Sequence, residues 1–211
     1  MNEPNQTFLR SDPSRTQELI DAARGGDSEA LGELLLIYRK YLIFLARNGL
    51  HRQMQAKADP SDIAQEVCLA AHGNIQDFDG ETVEQFAAWL RGILTNTVAM
   101  HIRRYLGTDK RDLRLEQNLN ASITNASGFL QANIVADVTS PSQHFVRNEA
   151  FLQLATALEA LPDDYRRVIV LRHVEGLPFA EVARMMERSV NSVEKLWVRA
   201  LAKLKTTIGE V

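Results

Sequence analysis

The sequence predicts an all-α protein with two small helical domains joined by a flexible linker. Apolar residues recur every three or four positions almost throughout the 211-residue chain, whereas the alternating pattern of strands is rare. Only 11 glycines and 6 prolines interrupt these periods. A polar stretch at 115–148 separates a first domain over 14–114 from a second over 149–211. The hydrophobic content of 45% is sufficient for a buried core.

The first two helices have clear boundaries. The first is predicted over 14–24 and ends at Gly25-Gly26, because glycine adopts the backbone conformations that stop a helix. Asp27 is the predicted N-cap of a long second helix, which ends near Gly49. That helix has one apolar face for the core, formed by Leu31, Leu34, Leu35, Tyr38, Leu42 and Leu45.

A third helix is predicted to begin at Asp59-Pro60. Asp59 suits the N-cap position, and Pro60 suits the first helical position because its missing N–H would be unsatisfied there anyway. Ile63 and Val67 face inward, and the single Cys68 is expected to be a small core residue rather than a reactive thiol.

The outer face of the third helix carries Asp62, Gln65 and Glu66. Two carboxylates one turn apart could hold a hard metal ion or act as acid and base. However, neither a histidine nor a third acid lies at ligand spacing. We therefore expect a solvated or partner-binding face there, with no metal and no cofactor.

A fourth helix is predicted over 84–105. Phe86 and Trp89 lie at core spacing, although aromatic side chains beside a basic helix can also stack on unpaired bases. The spacing favours the core for both. The later part of the helix and the residues after it form a basic patch, which consists of Arg91, His101, Arg103, Arg104, Lys110, Arg111 and Arg114.

Residues 115–148 have the composition of a linker, rich in Asn, Ser, Thr, Gln and Ala. After them, Phe151, Leu154 and Leu158 indicate a helix that ends at Pro162, and a further helix leads to Glu175.

The most informative segment is 176–197, which has the pattern of a helix-turn-helix. Phe179, Val182, Ala183 and Met186 form one apolar stripe, and Ser189 can cap a second helix. The inward residues of that helix are predicted to be Val193, Trp197, Ala200 and Leu204. Since the turn between the helices is too short for antiparallel packing, the second helix should cross the first steeply and fit a DNA major groove.

Charge is distributed unevenly along the chain, whose formal net charge is −3. Residues 1–90 hold 8 basic and 14 acidic side chains, whereas 91–114 hold 6 basic and 2 acidic ones. Residues 184–205 also hold 6 basic and 2 acidic ones. A solvated helix face is the alternative interpretation, but basic patches beside an exposed helix are expected where a protein binds nucleic acid.

Other classes of protein fit the sequence less well. No apolar run is long enough to cross a bilayer and the first 13 residues are polar, so we expect a cytoplasmic protein without membrane insertion. A further hypothesis is an enzyme, such as a metal-dependent hydrolase using Asp59, Asp62, Glu66 and His72. The sequence lacks a nucleophile with a nearby base, a phosphate loop and zinc-ligand spacing.

Several segments, in this order, resemble bacterial RNA polymerase sigma factors of the sigma-70 family, specifically the extracytoplasmic-function (ECF) group. They are 26–31, 59–67, 86–90 with Asn96, 161–162, 171–172 and the helix-turn-helix at 176–197. Ser192-Val193 followed by Leu196-Trp197 resembles a planctomycete-type variant. The sequence departs from the family at Glu187, where many members have glycine, and at Arg188, where they have an apolar residue.

The resemblance implies partners and site residues. Asp62, Gln65 and Glu66 would bind the clamp coiled coil of the RNA polymerase core, and the loop at 80–85 would take a flipped base of the promoter minus-ten element. The residues implied to contact the melted non-template strand are Arg91, Asn96, His101, Arg103 and Arg104. Those implied at the duplex minus-thirty-five element are Arg188, Ser189, Ser192, Glu194, Lys195, Arg199 and Lys203. An anti-sigma factor that covers both domains is a further implied partner.

Arg199 is the strongest candidate for reading a base, because arginine can bind guanine through two hydrogen bonds. Lys203 is a better candidate for a phosphate contact. The alternative hypothesis is a one-component helix-turn-helix regulator that binds duplex DNA without being a polymerase subunit. Such a regulator should bind palindromic duplex DNA in the absence of polymerase.

Overall fold

The computed structural model describes residues 13–50, 58–106, 113–132 and 142–210, and every regular element within those ranges is helical. This confirms the all-α prediction. The elements are α1 (Pro13–Arg24), α2 (Ser28–Gly49), α3 (Pro60–Gly73), a short 3-10 helix (Ile75–Asp77), α4 (Val83–Leu106), α5 (Leu113–Ala132), α6 (Ser142–Ala160), α7 (Asp163–Ile169) with a π-helical turn (Val170–Val174), α8 (Phe179–Met186) and α9 (Val190–Glu210).

The predicted helix caps are confirmed. The Asp27 carboxylate accepts hydrogen bonds from the backbone N–H groups of Glu29 and Ala30, and Asp59 accepts one from Ser61. Gly26 has a φ of +95°, and the Asp27 N–H bonds back to the Ala22 carbonyl. These bonds satisfy backbone groups that a helix end would otherwise leave unpaired.

Helix α2 is the centre of the first core. The residues from Tyr41 to Ala46 are all buried, so this part of α2 is covered on every side. Helices α1, α3, α4, α5 and α6 pack around it. The single apolar face predicted for α2 is therefore only part of its buried surface, because the sequence pattern does not show how many neighbours a helix has.

The prediction of a flexible linker is wrong for residues 115–132, which belong to α5. Leu119, Ile123, Ala126 and Leu130 are buried and form one helical stripe. Because polar residues separate these positions, the composition of the segment indicated a linker instead of an amphipathic helix. Helix α6 also begins inside the predicted linker, at Ser142. Residues 133–141, the rest of that linker, lie outside the described part of the chain.

Helices α5 and α6 both pack on α2. The Tyr41 hydroxyl lies 3.1 Å from the Ser127 hydroxyl on α5, and the Tyr41 ring meets the Phe151 ring on α6 edge to face, with centroids 5.1 Å apart. A Cβ added to Gly49 would lie 3.0 Å from side-chain atoms of Leu119 and Ile123. Helix α6, which contains the helix predicted to follow the linker, therefore shares a core with the first domain.

Candidate nucleic-acid and protein-binding surfaces

The helix-turn-helix is built by α8 and α9 around a tight turn. The Arg188 N–H bonds to the Ala183 carbonyl and the Glu187 N–H to the Arg184 carbonyl, which ends α8 in a Schellman motif. Glu187 has a φ of +55°, in the left-handed region that favours glycine. The turn therefore has a left-handed residue at a position that carries glutamate instead of glycine.

Helix α9 starts and packs as predicted. Ser189 caps it by accepting a hydrogen bond from the Ser192 N–H. Val193, Ala200 and Leu204 are buried, and Trp197 is half-buried. The predicted contact residues Ser192, Glu194, Lys195, Arg199 and Lys203 are all exposed. An exposed helix of this kind, with three cations directed outward, suits a DNA major groove.

Two of the residues predicted to bind DNA have contacts within the protein. The Arg188 guanidinium lies 2.5 Å from a carboxylate oxygen of Asp164, and the Ser189 hydroxyl is used in the cap. Arg188 therefore also connects the turn to α7.

Aromatic side chains of the preceding segments contact α9 at Trp197. The Trp197 indole N–H donates to His173 Nε2 at 2.9 Å, and the Trp197 ring meets Phe179 edge to face with centroids 5.5 Å apart. The Arg172 guanidinium stacks over Phe179 at 5.0 Å. Partial burial, together with the charge of Arg172, lowers the pKa of His173. The neutral imidazole is thus favoured, which is the form that can accept the indole hydrogen bond.

The loop before α4 is held by a capping box. The Gln85 side-chain oxygen accepts from the Thr82 N–H at 3.1 Å, and the Thr82 hydroxyl accepts from the Gln85 N–H at 3.3 Å. A Cβ at Gly80 would lie 2.6 Å from the Phe78 ring, so only glycine fits the observed loop. The segment 80–85 therefore has a defined shape before any ligand binds.

The side chains predicted to contact the melted strand differ in exposure along α4. Asn96 and Arg104 are exposed, whereas Arg103 is half-buried. Arg91 donates a hydrogen bond to the Tyr41 hydroxyl at 3.1 Å. Trp89 packs against Phe78 and Phe86, which confirms the core interpretation of both predicted aromatics.

His101 has a different position from the other predicted strand contacts. Its residue exposure is 9%, and its Nε2 lies 2.8 Å from a carboxylate oxygen of Glu66 on α3. The side chain is turned toward α3 rather than toward solvent. Arg91 and His101 are thus anchored inside the protein, while Asn96 and Arg104 remain open to a ligand.

The outer face of α3 is polar with one exposed apolar residue. Asp62 and Gln65 are exposed, and the Glu66 side chain is 44% exposed. Leu69, which the helical spacing also places away from the core but which is not among the predicted site residues, lies on the same face and is 67% exposed. It is three, four and seven residues from Glu66, Gln65 and Asp62, which puts it beside them on the helix surface.

The single cysteine, Cys68, is partly buried. Cys68 packs against the core, and burial raises the pKa of its thiol, which disfavours the reactive thiolate.

Among the described residues, no group of three or more His, Cys, Asp or Glu side chains could hold a metal ion. None of the described helices is long and apolar enough to cross a membrane.

Two family models match the chain. One, described as Sigma-70 region 2, covers residues 37–106, which include α3 and α4. The other, described as Sigma-70, region 4, covers residues 151–204, which include the helix-turn-helix.

Curated relatives match over most of their length. The RNA polymerase sigma-H factor of Pseudomonas aeruginosa is 26% identical over 87% of this chain and 89% of its own. The ECF RNA polymerase sigma factor SigW of Bacillus subtilis is 28% identical over 83% of this chain and 87% of its own. Among solved structures, CnrH in complex with the cytosolic domain of CnrY matches with 23% identity and a TM-score of 0.34, over 93% of this chain and 98% of that one.

Proposed function

Because the chain belongs to the sigma-70 family, in its extracytoplasmic-function group, we propose that it binds the RNA polymerase core and directs promoter-specific initiation of transcription. The observation that carries this proposal is that the structure has separate exposed surfaces in the two matched regions. The exposed face of α9 lies in region 4, and those of α3 and α4 lie in region 2. The protein acts by binding in the cytoplasm, without a catalytic reaction of its own.

Region 4 reads the minus-thirty-five element as duplex DNA. Arg199 is exposed on α9 and presents a guanidinium to the edges of base pairs, whereas Lys203, one turn later, contacts a phosphate. Ser192, Glu194 and Lys195 complete the surface. Arg188 and Ser189 contribute mainly by holding the turn, since both have contacts within the protein.

Region 2 melts the minus-ten element. The preformed loop at 80–85 receives a flipped base, and Asn96, Arg103 and Arg104 follow the non-template strand. Opening the duplex costs the unstacking and unpairing of bases, and these single-strand contacts offset that cost. Arg91 supports the surface through its hydrogen bond to Tyr41.

The outer face of α3 binds the clamp coiled coil of the polymerase core. Asp62, Gln65 and Glu66 supply polar and charged groups, and Leu69 supplies an apolar contact that loses water on binding. An anti-sigma factor that covers region 2 and region 4 would keep the protein inactive by occupying these surfaces.

The arrangement of the two regions must change when the protein binds polymerase and promoter. The two promoter elements have centres about 25 base pairs apart, or roughly 80 Å at about 3.4 Å per pair. A compact chain of this length has a radius of gyration of about 17 Å. In the structure α6 packs directly on α2, so the polymerase core must hold the two regions apart in the initiation complex.

Run-off transcription with purified polymerase core and a promoter library tests this function. We expect the protein to co-purify with core and to select a subset of promoters that core alone does not use. Binding to palindromic duplex DNA without core, together with no selective transcription, would instead identify a one-component regulator.

A further inference from the structure

The hydrogen bond between Glu66 and His101 connects two helices that have different partners in the proposed function. Glu66 is on α3, the polymerase-facing helix, and His101 is on α4, the promoter helix. The Glu66 carboxylate is at the edge of the protein with a side-chain exposure of 44%, whereas the His101 side chain is only 11% exposed. One residue can therefore meet the polymerase while the other lies inside region 2.

Because His101 lies among buried residues of α4, its hydrogen bond to Glu66 is a specific link between α4 and α3. Val98 and Ile102, its neighbours on α4, are almost completely buried. A polar ring among such residues is unfavourable unless it is hydrogen-bonded. By contrast, the buried Thr97 donates its hydroxyl to the Ile93 carbonyl of the same helix. The bond from His101 reaches a different helix.

The pair also lies close in sequence to both binding surfaces. Glu66 is one turn from Asp62 on the outer face of α3. His101 precedes Arg103 and Arg104 on α4 by two and three residues, so a rotation of the helix at His101 would change where both guanidinium groups point.

We propose that His101 is a positioning residue for promoter opening, which acts through Glu66 to fix the promoter helix α4 against the polymerase-bound helix α3. His101 does not contact DNA in this scheme. Instead, the Glu66–His101 bond holds Arg103 and Arg104 toward the strand when the core holds Glu66. The inference rests on the proposed function and deepens it, because it gives one residue predicted to contact DNA a different role.

The test separates binding of core from opening of the promoter. The affinity for core is measured by fluorescence anisotropy, and the opening rate is measured at saturating core with a fluorescent base analogue at the minus-ten element. His101→Leu is expected to bind core within twofold of the wild type but to open the promoter at least tenfold more slowly. His101→Gln, whose amide N–H can still donate to Glu66, is expected to recover most of the rate.

Two comparisons show whether the effect passes through Glu66. At saturating core, Glu66→Ala and the double variant with His101→Leu should open the promoter as slowly as His101→Leu alone, since each breaks the same bond. Thr97→Val removes a buried hydroxyl from the same helix without breaking a bond to α3. It is the matched control and is expected to keep the wild-type opening rate at saturation.

Thermal unfolding of each variant checks that it is folded. An unchanged opening rate in a folded His101→Leu variant would overturn the proposal, as would equal losses in the leucine and glutamine variants or losses that add in the double variant. If the wild-type protein itself opens no promoter with core, the proposed function fails, and that outcome is distinct from any difference among the variants.

Discussion

The Arg47 guanidinium on α2 donates two hydrogen bonds, at 3.0 and 3.3 Å, to the carboxylate of Glu159 on α6. The Glu159 side chain is 4% exposed and lies 3.8 Å from the Arg166 guanidinium as well. Arg47 belongs to region 2 and Glu159 to region 4. The compact arrangement thus contains a charged contact that must break when the two regions separate.

Arg47→Glu is expected to favour separation of the two regions. The substitution places two carboxylates opposite each other, and loss of a hydrogen-bonded contact between charged groups costs about 1–3 kcal/mol. Small-angle scattering of the free variant should show a larger radius of gyration than the wild type. Arg15→Glu, which breaks the exposed pair with Glu33, is the control and should leave the scattering unchanged. Identical scattering from all three proteins would show that this contact does not hold the compact form.

Arg199→Ala is expected to lose about 1–3 kcal/mol of discrimination at a single base pair of the minus-thirty-five element, because a bidentate contact to guanine is removed. Binding to a set of single-base variants of the selected promoter measures this. Lys203→Ala should weaken binding to all of them equally. It should also reduce the slope of log affinity against log salt concentration by about one, which corresponds to one lost phosphate contact. If Arg199→Ala also weakened every sequence equally, Arg199 would be a phosphate contact.

Substitutions on the outer face of α3 are expected to weaken the affinity for polymerase core while the protein stays folded. Asp62→Ala combined with Glu66→Ala removes two carboxylates, and Leu69→Ala removes an exposed apolar side chain. Leu36, on α2, is 68% exposed and is the matched control for Leu69. Titration of labelled core should show weaker binding for the first two variants and wild-type binding for Leu36→Ala. Wild-type core binding by the double alanine variant would refute the role of this face.

Glu187→Gly is expected to stabilise the second domain by about 0.5–1 kcal/mol, since Glu187 holds a left-handed backbone conformation that glycine adopts without a Cβ penalty. Urea denaturation measures the free energy of unfolding. Glu194→Gly, in the first half of α9, should instead lose about 1 kcal/mol. A loss of stability in both variants would show that the left-handed conformation of Glu187 carries no penalty that glycine relieves.

Acidification is expected to lower the free energy of unfolding through His173, which accepts a hydrogen bond from Trp197 on α9. Because the pKa of His173 is lowered in the folded state, the unfolded chain takes up this proton first, and protonation also removes the acceptor for the Trp197 indole. The stabilising contribution is complete above the unfolded value of about 6.5 and declines as the pH falls below it. Urea denaturation at several pH values should show a smaller decline for His173→Gln than for the wild type. His72→Gln, at an exposed position on α3, should keep the wild-type decline; equal declines in all three would exclude His173 as the source.

The sequence predicted the elements that depend on local signals. The caps at Asp27, Asp59 and Ser189 follow from side-chain chemistry within a few residues, and the inward stripe of α9 follows from helical spacing. These features were confirmed because they do not depend on distant parts of the chain.

The features that were missed depend on tertiary contacts. Helix α5 was predicted as a linker because its buried residues, such as Ile123, alternate with polar ones, and only packing on α2 shows that the stripe is used. His101 was assigned to a basic DNA-binding patch from its position on α4. Its contact with Glu66, 35 residues away, could not be predicted from either local pattern.

Strand opening by the reconstituted holoenzyme tests the central claim most directly. Permanganate probing of unpaired thymines should be carried out on promoters selected from the library, with core alone, with the protein alone and with both together. We expect reactive thymines at the minus-ten element of the selected promoters only when both are present. If no promoter shows selective opening with both present, this result contradicts the assignment of the chain as an initiation factor that binds two promoter elements.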